Sequence, residues 1–271
     1  MIFAGIDVGS LSTDTVLVDE DAQVVGYSIL PTGASIKRAA TNSLDEALNR
    51  AGSNEEVVYV VSTGYGRAKV VFAQANITEI SCHAKGAFHV QPGTRTLIDI
   101  GGQDSKVIKI DDQGRVQEFH VNEKCAAGTG RFLEVMARAL ELDLDEMSET
   151  GERSNNAIPI SSTCTVFAES EVVSLVAQEK PVSHIVRGLN EAIANRIGAV
   201  VERLGIDELV TMTGGVAKNK GVVRAIERRL GTVLYVPDEP QVVGALGAAL
   251  FARERHLSGK RSESVPEQGW R

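Results

Sequence analysis

Short apolar and β-branched runs alternate with polar turns through the first thirty residues, and then the period changes. Ile2 to Val8 is apolar up to an aspartate; Thr15 to Val18 and Val24 to Leu30 are β-rich; Gly9-Ser-Leu-Ser-Thr13 and Asp19-Glu-Asp-Ala22 interrupt them. Apolar runs bounded by small and acidic residues predict three strands joined by turns. Ile36, Ala39, Ala40, Leu44, Ala47 and Leu48 recur at helical spacing, which predicts a helix over 36–51. Val57 to Ser62 is continuously apolar and β-branched, the pattern of a strand covered on both faces. Thr63-Gly-Tyr-Gly66 reads as a loop and residues 82–90 as a short helix.

The pattern then restarts. Leu97-Ile-Asp-Ile-Gly-Gly102 again runs strand, aspartate, glycine turn; Val107 to Ile110, Asp111-Asp-Gln-Gly114 and Val116 to Val121 again run strand, turn, strand. Residues 5–29 lie over 97–121 without a gap: Asp7 falls on Asp99, Gly9 on Gly101, Val16 on Ile108, Asp19 on Asp111 and Val24 on Val116, each pair 92 residues apart. Matched aspartates, glycines and turns carry more weight than matched valines. A duplicated unit of this kind implies two like-built α/β domains facing each other. The first is expected at 1–94 and the second at 95–258, ahead of a polar tail, 259–271.

After the second repeat, helices are expected at about 128–141, 143–150, 166–178 and 182–204, the last with Ile185, Leu189, Ile193, Ile197 and Val201 on one face. Leu209 to Thr213 reads as a strand, Gly214-Gly215 as a turn, Gly221 to Leu230 as a helix and Val233 to Val236 as a strand. A last helix, roughly 241–256, carries Gly244, Gly247 and Ala248 on one side.

Composition narrows the function. The chain has 271 residues, 43% hydrophobic and 24% charged, with a formal net charge of -8. That is ordinary for a globular protein, and the negative charge repels a nucleic-acid backbone, so no nucleic-acid partner is expected. No apolar run reaches the length of about 18 residues that spans a membrane, and Met1-Ile-Phe-Ala-Gly-Ile runs straight into an expected strand with no basic region, apolar block and cleavage site, so the expected location is the cytoplasm without a membrane partner. Three cysteines in a reducing compartment argue for a metal ligand or redox group over a disulfide framework.

Two candidate chemistries follow. The turns beside Asp7 and Asp99 let backbone amides approach phosphate oxygens, while the two carboxylates, from opposed domains, suit Mg²⁺ and an attacking water. Thr213-Gly-Gly-Val216, at a strand end before a helix, suits a nucleoside or phosphate. The plain alternative is that these glycines only make tight turns. No P-loop pattern is present. The second chemistry is Asn122-Glu-Lys-Cys-Ala-Ala-Gly-Thr-Gly-Arg-Phe-Leu-Glu134, a cysteine beside a glycine turn that opens a helix, with Thr129 available to cap it. Cys125 and Cys164 each stand just ahead of a helix, whose dipole favours a thiolate or a bound anionic centre. Two thiolates are too few for a [4Fe–4S] cluster, whereas a twofold dimer supplies two plus two. From these residues alone, buried and inert cysteines remain the alternative. Cys82 reads as structural and His83 as a hydrogen-bonded histidine.

Asp7-Val-Gly-Ser, Asp99-Ile-Gly-Gly and Thr213-Gly-Gly-Val resemble the two phosphate motifs and the adenosine motif of the acetate and sugar kinase, heat-shock chaperone and actin superfamily; Gly244-Ala-Leu-Gly247 resembles its closing adenine-side element. More narrowly, Ala126-Ala-Gly-Thr-Gly-Arg-Phe-Leu and Ser161-Ser-Thr-Cys-Thr-Val-Phe-Ala-Glu-Ser-Glu171 resemble the activator component of (R)-2-hydroxyacyl-CoA dehydratases, a family that includes ATPase subunits of benzoyl-CoA reductase. The resemblance runs from residue 2 to about 253. It implies two actin-like, ribonuclease H-like domains with a nucleotide cleft between them. It also implies ATP or ADP with Mg²⁺, and one [4Fe–4S] cluster shared by two subunits on Cys125 and Cys164. The implied catalytic residues are Asp7, Asp99, Gln103 and Asp104. The implied nucleotide contacts are Gly9, Ser10, Ser12, Thr13, Gly101, Gly102, Lys106, Gly128, Thr213, Gly214, Gly215, Lys218, Gly244 and Gly247. The implied partners are a second copy or a homologous chain, a dehydratase or reductase component, and ferredoxin or flavodoxin as donor. The chain departs from the pattern at Asp14, where many relatives carry lysine; Asp14 is expected to point away or to pair with a lysine such as Lys218. A small-molecule kinase and an actin-like nucleotide sensor remain as alternatives, and neither gives the cysteine motifs a role.

Overall fold

The computed structural model describes residues 1–52, 55–161 and 164–259, so Ser162 and Thr163 of the second cysteine motif and the tail from 260 lie outside the described residues. The chain divides into two compact units, 1–92 with the residues from 241 on, and 93–240.

In the first unit, β1 (Ile2–Val8), β2 (Ser12–Val18), β3 (Val24–Pro31), β4 (Val57–Thr63) and β5 (Ala75–Asn76) form one sheet in the order β3-β2-β1-β4-β5. β1 is antiparallel to β2 and parallel to β4, and all seven of its residues are buried. The pleat sends Ile2, Ala4, Ile6 and Val8 into a cluster with Ala40 and Ala47 of α1 (Ile36–Ala51). Phe3 goes to the opposite face, where α2 (Glu79–Val90) contributes Cys82. The sequence starts α2 at 82. It begins three residues earlier because Thr78 caps it, its hydroxyl accepting from the Ser81 amide at 3.3 Å.

In the second unit, β6 (Thr96–Ile100), β7 (Ser105–Ile110), β8 (Val116–Asn122), β9 (Val210–Thr213) and β10 (Leu234–Tyr235) lie in the order β10-β9-β6-β7-β8. Between β8 and β9 run α3 (Gly130–Ala139), α4 (Leu144–Glu152), α5 (Thr165–Ala177) and α6 (Val182–Leu204); α7 (Lys220–Leu230) precedes β10. The apolar face of α6 read from the sequence is buried at every position, Ile185, Leu189, Ile193, Ile197 and Val201. Each such side chain contributes about 1.5–3 kcal/mol on burial, which fixes α6 as the spine of this unit.

The duplication holds at the level of single hydrogen bonds. Asp7 pairs with Asp14 across β1 and β2, and Asp99 with Lys106 across β6 and β7. The Gly9 amide donates to Ser12 O at 2.9 Å, and Gly101 to Asp104 O at 3.0 Å. Asp19 Oδ1 accepts from the amides of Asp21 and Gln23, and Asp111 Oδ1 from those of Gln113 and Arg115. The register slips at Leu17/Val18 and at Lys109/Ile110. The correspondence also reaches the crossover strands. Thr63 lies beside Asp7, and Thr213 beside Asp99. The glycine that follows each threonine, Gly64 or Gly214, takes φ of 83° or 85°, and a Cβ there would meet the Val8 or Ile100 carbonyl oxygen at 2.7 or 2.3 Å.

One element differs from the chain-order division at 94/95. The last helix, α8 (Val243–Leu257), belongs to the first unit, where it packs on β1 and α2. Its small residues make this possible: a Cβ at Gly5 would stand 2.0 Å from Ala245 O, and one at Gly247 would stand 1.8 Å from Cys82 O.

Candidate functional site

Asp7 is the last acidic position of β1 before the Gly9 turn and is 8% exposed. Its carboxylate lies on the α8 face of the sheet, where a Cβ on Gly244 would stand 2.2 Å from Oδ2 and one on Gly64 2.2 Å from Oδ1. His83 Nε2 is 3.6 Å from Asp7 Oδ2, so the histidine read as hydrogen-bonded is the cationic neighbour of this carboxylate when protonated. At the turn, Ser10 is exposed, and Ser12 Oγ donates to Asp14 Oδ2 at 3.1 Å and accepts from Gln241 Nε2 at 3.0 Å. Thr13 is buried with its hydroxyl on Thr32 Oγ1 at 2.9 Å, a contact within the fold. Asp14 is likewise buried, and Lys218 makes its own ion pair with Glu239 at 2.8 Å.

The second strand end is more fully assembled. Asp99 is 1% exposed and accepts from Thr213 Oγ1 at 2.7 Å through Oδ1 and from Lys106 Nζ at 3.2 Å through Oδ2. Lys106 also reaches Asp104 Oδ2 at 2.9 Å. One lysine thus spans two of the carboxylates implied to be catalytic, and their charges offset the cost of burying it. Gln103 is exposed at the tip of the turn between Gly102 and Asp104. Gly214 donates its amide to Pro240 O at 3.0 Å, and Gly215 is exposed at the start of a 3₁₀ turn, Gly215–Lys218. Beside that turn is a cavity of about 470 Å³ with Val223, Val236 and Pro237 as apolar walls and Lys218, Lys220 and Arg224 as its cations.

The Cys125 loop is tied to this hairpin. The first amides of α3 donate to the turn carbonyls, Gly130 N to Gly101 O at 2.9 Å and Arg131 N to Gly102 O at 2.8 Å. Thr129 does occupy the N-cap position, but its hydroxyl donates to Ala126 O at 2.6 Å and makes no cap bond. The loop tightens on itself, and the helix start is satisfied by the hairpin instead. Cys125 is half-buried, its carbonyl accepting from Asn122 Nδ2 at 3.1 Å and its thiol 3.5 Å from Arg196 Nη1. Gly128 is buried against the Arg196 side chain. Cys164 is exposed and is itself the N-cap of α5, which packs against α3. One chain therefore offers two accessible thiols at the starts of two touching helices, which is half the donor set of a [4Fe–4S] cluster and chemically suited to it.

Cys82 is different. It is fully buried, and burial pushes its thiol up to about 12, against the opposing effect of the Thr63 hydroxyl. Iodoacetamide at pH 8 is therefore expected to modify Cys125 and Cys164 in the folded, metal-free protein and to spare Cys82, as read by peptide mass mapping. Labelling of Cys82 at a similar rate would contradict its structural assignment.

The sequence did not point to Thr63-Gly64, Gln241, Glu239 or Arg196. Thr63-Gly64 could have been found by comparing it with Thr213-Gly214; the others carry no signal apart from their neighbours in space.

Residues 4–252 match the BadF/BadG/BcrA/BcrD ATPase family. The chain belongs to that family. Its relatives include the activator of lactoyl-CoA dehydratase from Anaerotignum propionicum, 48% identical over 255 residues that cover 94% of this chain and 98% of that protein. One of the benzoyl-CoA reductase subunits of Thauera aromatica is 30% identical over 266 residues, 94% of each chain. The solved structure of the activator of 2-hydroxyisocaproyl-CoA dehydratase from Clostridium difficile with bound ADPNP superimposes with a TM-score of 0.91 at 43% identity, covering 98% of this chain and 99% of that one. The duplicated α/β architecture is that of the actin-like ATPases, as the motifs implied. Among the described residues, no helix is long and apolar enough to cross a membrane.

Proposed function

We propose that this member of the BadF/BadG/BcrA/BcrD ATPase family is an ATP-dependent electron-transfer activator of a 2-hydroxyacyl-CoA dehydratase-type enzyme. The observation that carries the reading is the pair of hydrogen bonds from Gly130 and Arg131 to Gly101 and Gly102. They make the second phosphate turn and the helix behind Cys125 one mechanical piece.

In this reading the turn amides near Gly9, Ser10, Ser12 and Thr13, and near Gly101 and Gly102, take phosphate oxygens. Asp7, Asp99 and Asp104 serve Mg²⁺, and Gln103 orients the attacking water. Lys106 holds Asp99 and Asp104 in place and can exchange one of them for a phosphate oxygen. Thr213, Gly214, Gly215 and Lys218, with the cavity beside α7, hold the nucleoside; Gly244 and Gly247 let α8 close against Asp7 and α2. ADPNP in a relative of TM-score 0.91 supports the nucleotide assignment.

Cys125 and Cys164 from two chains, this one twice or paired with a homologous subunit, would hold one [4Fe–4S] cluster, which when bound supplies a one-electron carrier. The positive ends of α3 and α5 favour negative charge at that place. ATP binding pulls on the Gly101–Gly102 turn, the turn pulls on α3, and α3 re-poses Cys125 toward the partner; hydrolysis makes the cycle one-way. Ferredoxin or flavodoxin is the expected donor. The benzoyl-CoA reductase reading shares every step and differs in the partner; 48% identity to a dehydratase activator against 30% to a reductase subunit favours the dehydratase.

The test is anaerobic. Reduced protein, ATP and a purified 2-hydroxyacyl-CoA dehydratase are expected to give ATP-dependent dehydratase activity that fails with ADPNP. ATP consumption that activates neither a dehydratase nor a reductase would overturn the proposal.

A further inference from the structure

We propose that Arg196 is a positioning residue for Cys125 that raises the reduction potential of the metal centre Cys125 holds, an inference that rests on the cluster reading above. Arg196 sits on α6, the most deeply buried helix of its unit, with Ile193 and Ile197 on either side of it in the core. Its backbone is therefore fixed. Its Nη1 donates toward Cys125 Sγ at 3.5 Å, within range for a sulfur acceptor.

The loop is shaped to receive it. Gly128 takes φ of 89°, and a Cβ there would stand 3.0 Å from Arg196 Cδ, so this position combines a left-handed backbone with space for the arginine stem. Asn122 fixes the carbonyl of the same cysteine. On its other side Arg196 lines a cavity of about 470 Å³ with His120, Asn122, Asn195 and Arg203. The guanidinium thus contacts the thiol from a position that also borders this cavity.

Reduction adds one negative charge to a centre held by thiolates. A cationic N–H donor on a ligand sulfur stabilises the more negative state, and so raises the potential. The geometry also makes the effect sensitive to nucleotide. The Cys125 loop leads into α3, whose first two amides are bonded to the Gly101–Gly102 turn, whereas Arg196 stays with α6. A movement of the turn that lengthens the Arg196–Cys125 contact would lower the potential when ATP is bound.

The experiment is anaerobic spectroelectrochemical titration of the full-length, iron-loaded protein with and without ATP, for the unsubstituted chain, Arg196→Met and Arg196→Lys. Arg196→Met keeps the stem and removes donor and charge. It is expected to shift the one-electron equilibrium about tenfold toward the oxidised form, about 59 mV more negative, and to shrink the difference that ATP makes. Arg196→Lys keeps the charge without the planar fork and is expected to fall between. An iron-loaded Arg196→Met with unchanged potential overturns the proposal. So does loss of iron in both variants with the remaining centre at the original potential, which would make Arg196 a structural residue only. Iron that survives Cys125→Ser overturns the cluster reading itself, and this inference with it; an unchanged potential alongside iron lost in Cys125→Ser overturns this inference alone.

Discussion

Asp99→Asn is expected to lower ATP hydrolysis by about 100-fold to 1,000-fold, the range found when one preorganised electrostatic group is removed from a transition state. Asp99 is buried, accepts from Thr213 and Lys106, and stands at the strand end beside the Gly101 turn. The amide keeps the shape and loses the charge. Lys106 retains Asp104 as a partner, so the fold is expected to survive at a cost of about 1–3 kcal/mol. Thr213→Val leaves the carboxylate charged and removes only the 2.7 Å hydrogen bond, so its effect is expected to be smaller. Asp112→Asn, exposed in the neighbouring turn, is the control. Hydrolysis measured against protein shown folded by thermal melting checks the set; Asp99→Asn within twofold of the unsubstituted rate would remove Asp99 from the catalytic assignment.

Cys125→Ser and Cys164→Ser are each expected to abolish stable iron binding and all ATP-dependent activation of the partner, while ATP hydrolysis persists. Serine preserves size but is a poor ligand for a soft iron–sulfur centre. The two positions differ in surroundings: Cys125 is half-buried against Arg196, Cys164 exposed at the start of α5. A reactive-thiol role would make one substitution silent. A shared centre makes both lethal to the iron.

Much of the fold was legible in the sequence because the repeat is local and rigid. A strand, a short turn and a return strand leave no slack, so a fixed spacing of 92 residues carried through to the same hydrogen bonds at Gly9 and Gly101 and at Asp19 and Asp111. The correspondence of Thr63-Gly64 with Thr213-Gly214 was not legible, since one helix separates β3 from β4 and four separate β8 from β9. The spacing changes, and only the shared place beside an aspartate reveals the match. The return of α8 to the first unit was hidden for a related reason. Its glycines and alanines advertise close packing, but sequence order says nothing of which sheet receives them.

The site was legible where a backbone does the work and less so where side chains meet. The turn glycines and strand-end aspartates lie where their pattern put them. Thr129 reached the N-cap position and then bonded its own loop, because the Gly101 and Gly102 carbonyls had already taken the α3 amides. Lys106, expected at phosphate, is held by two carboxylates that only folding brings to it. Arg196 lies 71 residues from Cys125 and touches it by virtue of the α6 packing.

Everything proposed for the two cysteine loops depends on a metal centre shared between chains and reached by a nucleotide-bound turn. Iron and acid-labile sulfide, quantified on anaerobically purified protein of known solution mass, test that dependence most directly. A shared [4Fe–4S] centre predicts about four irons per two chains. An iron-free protein after anaerobic purification and reconstitution, with ATP hydrolysis intact, would contradict it.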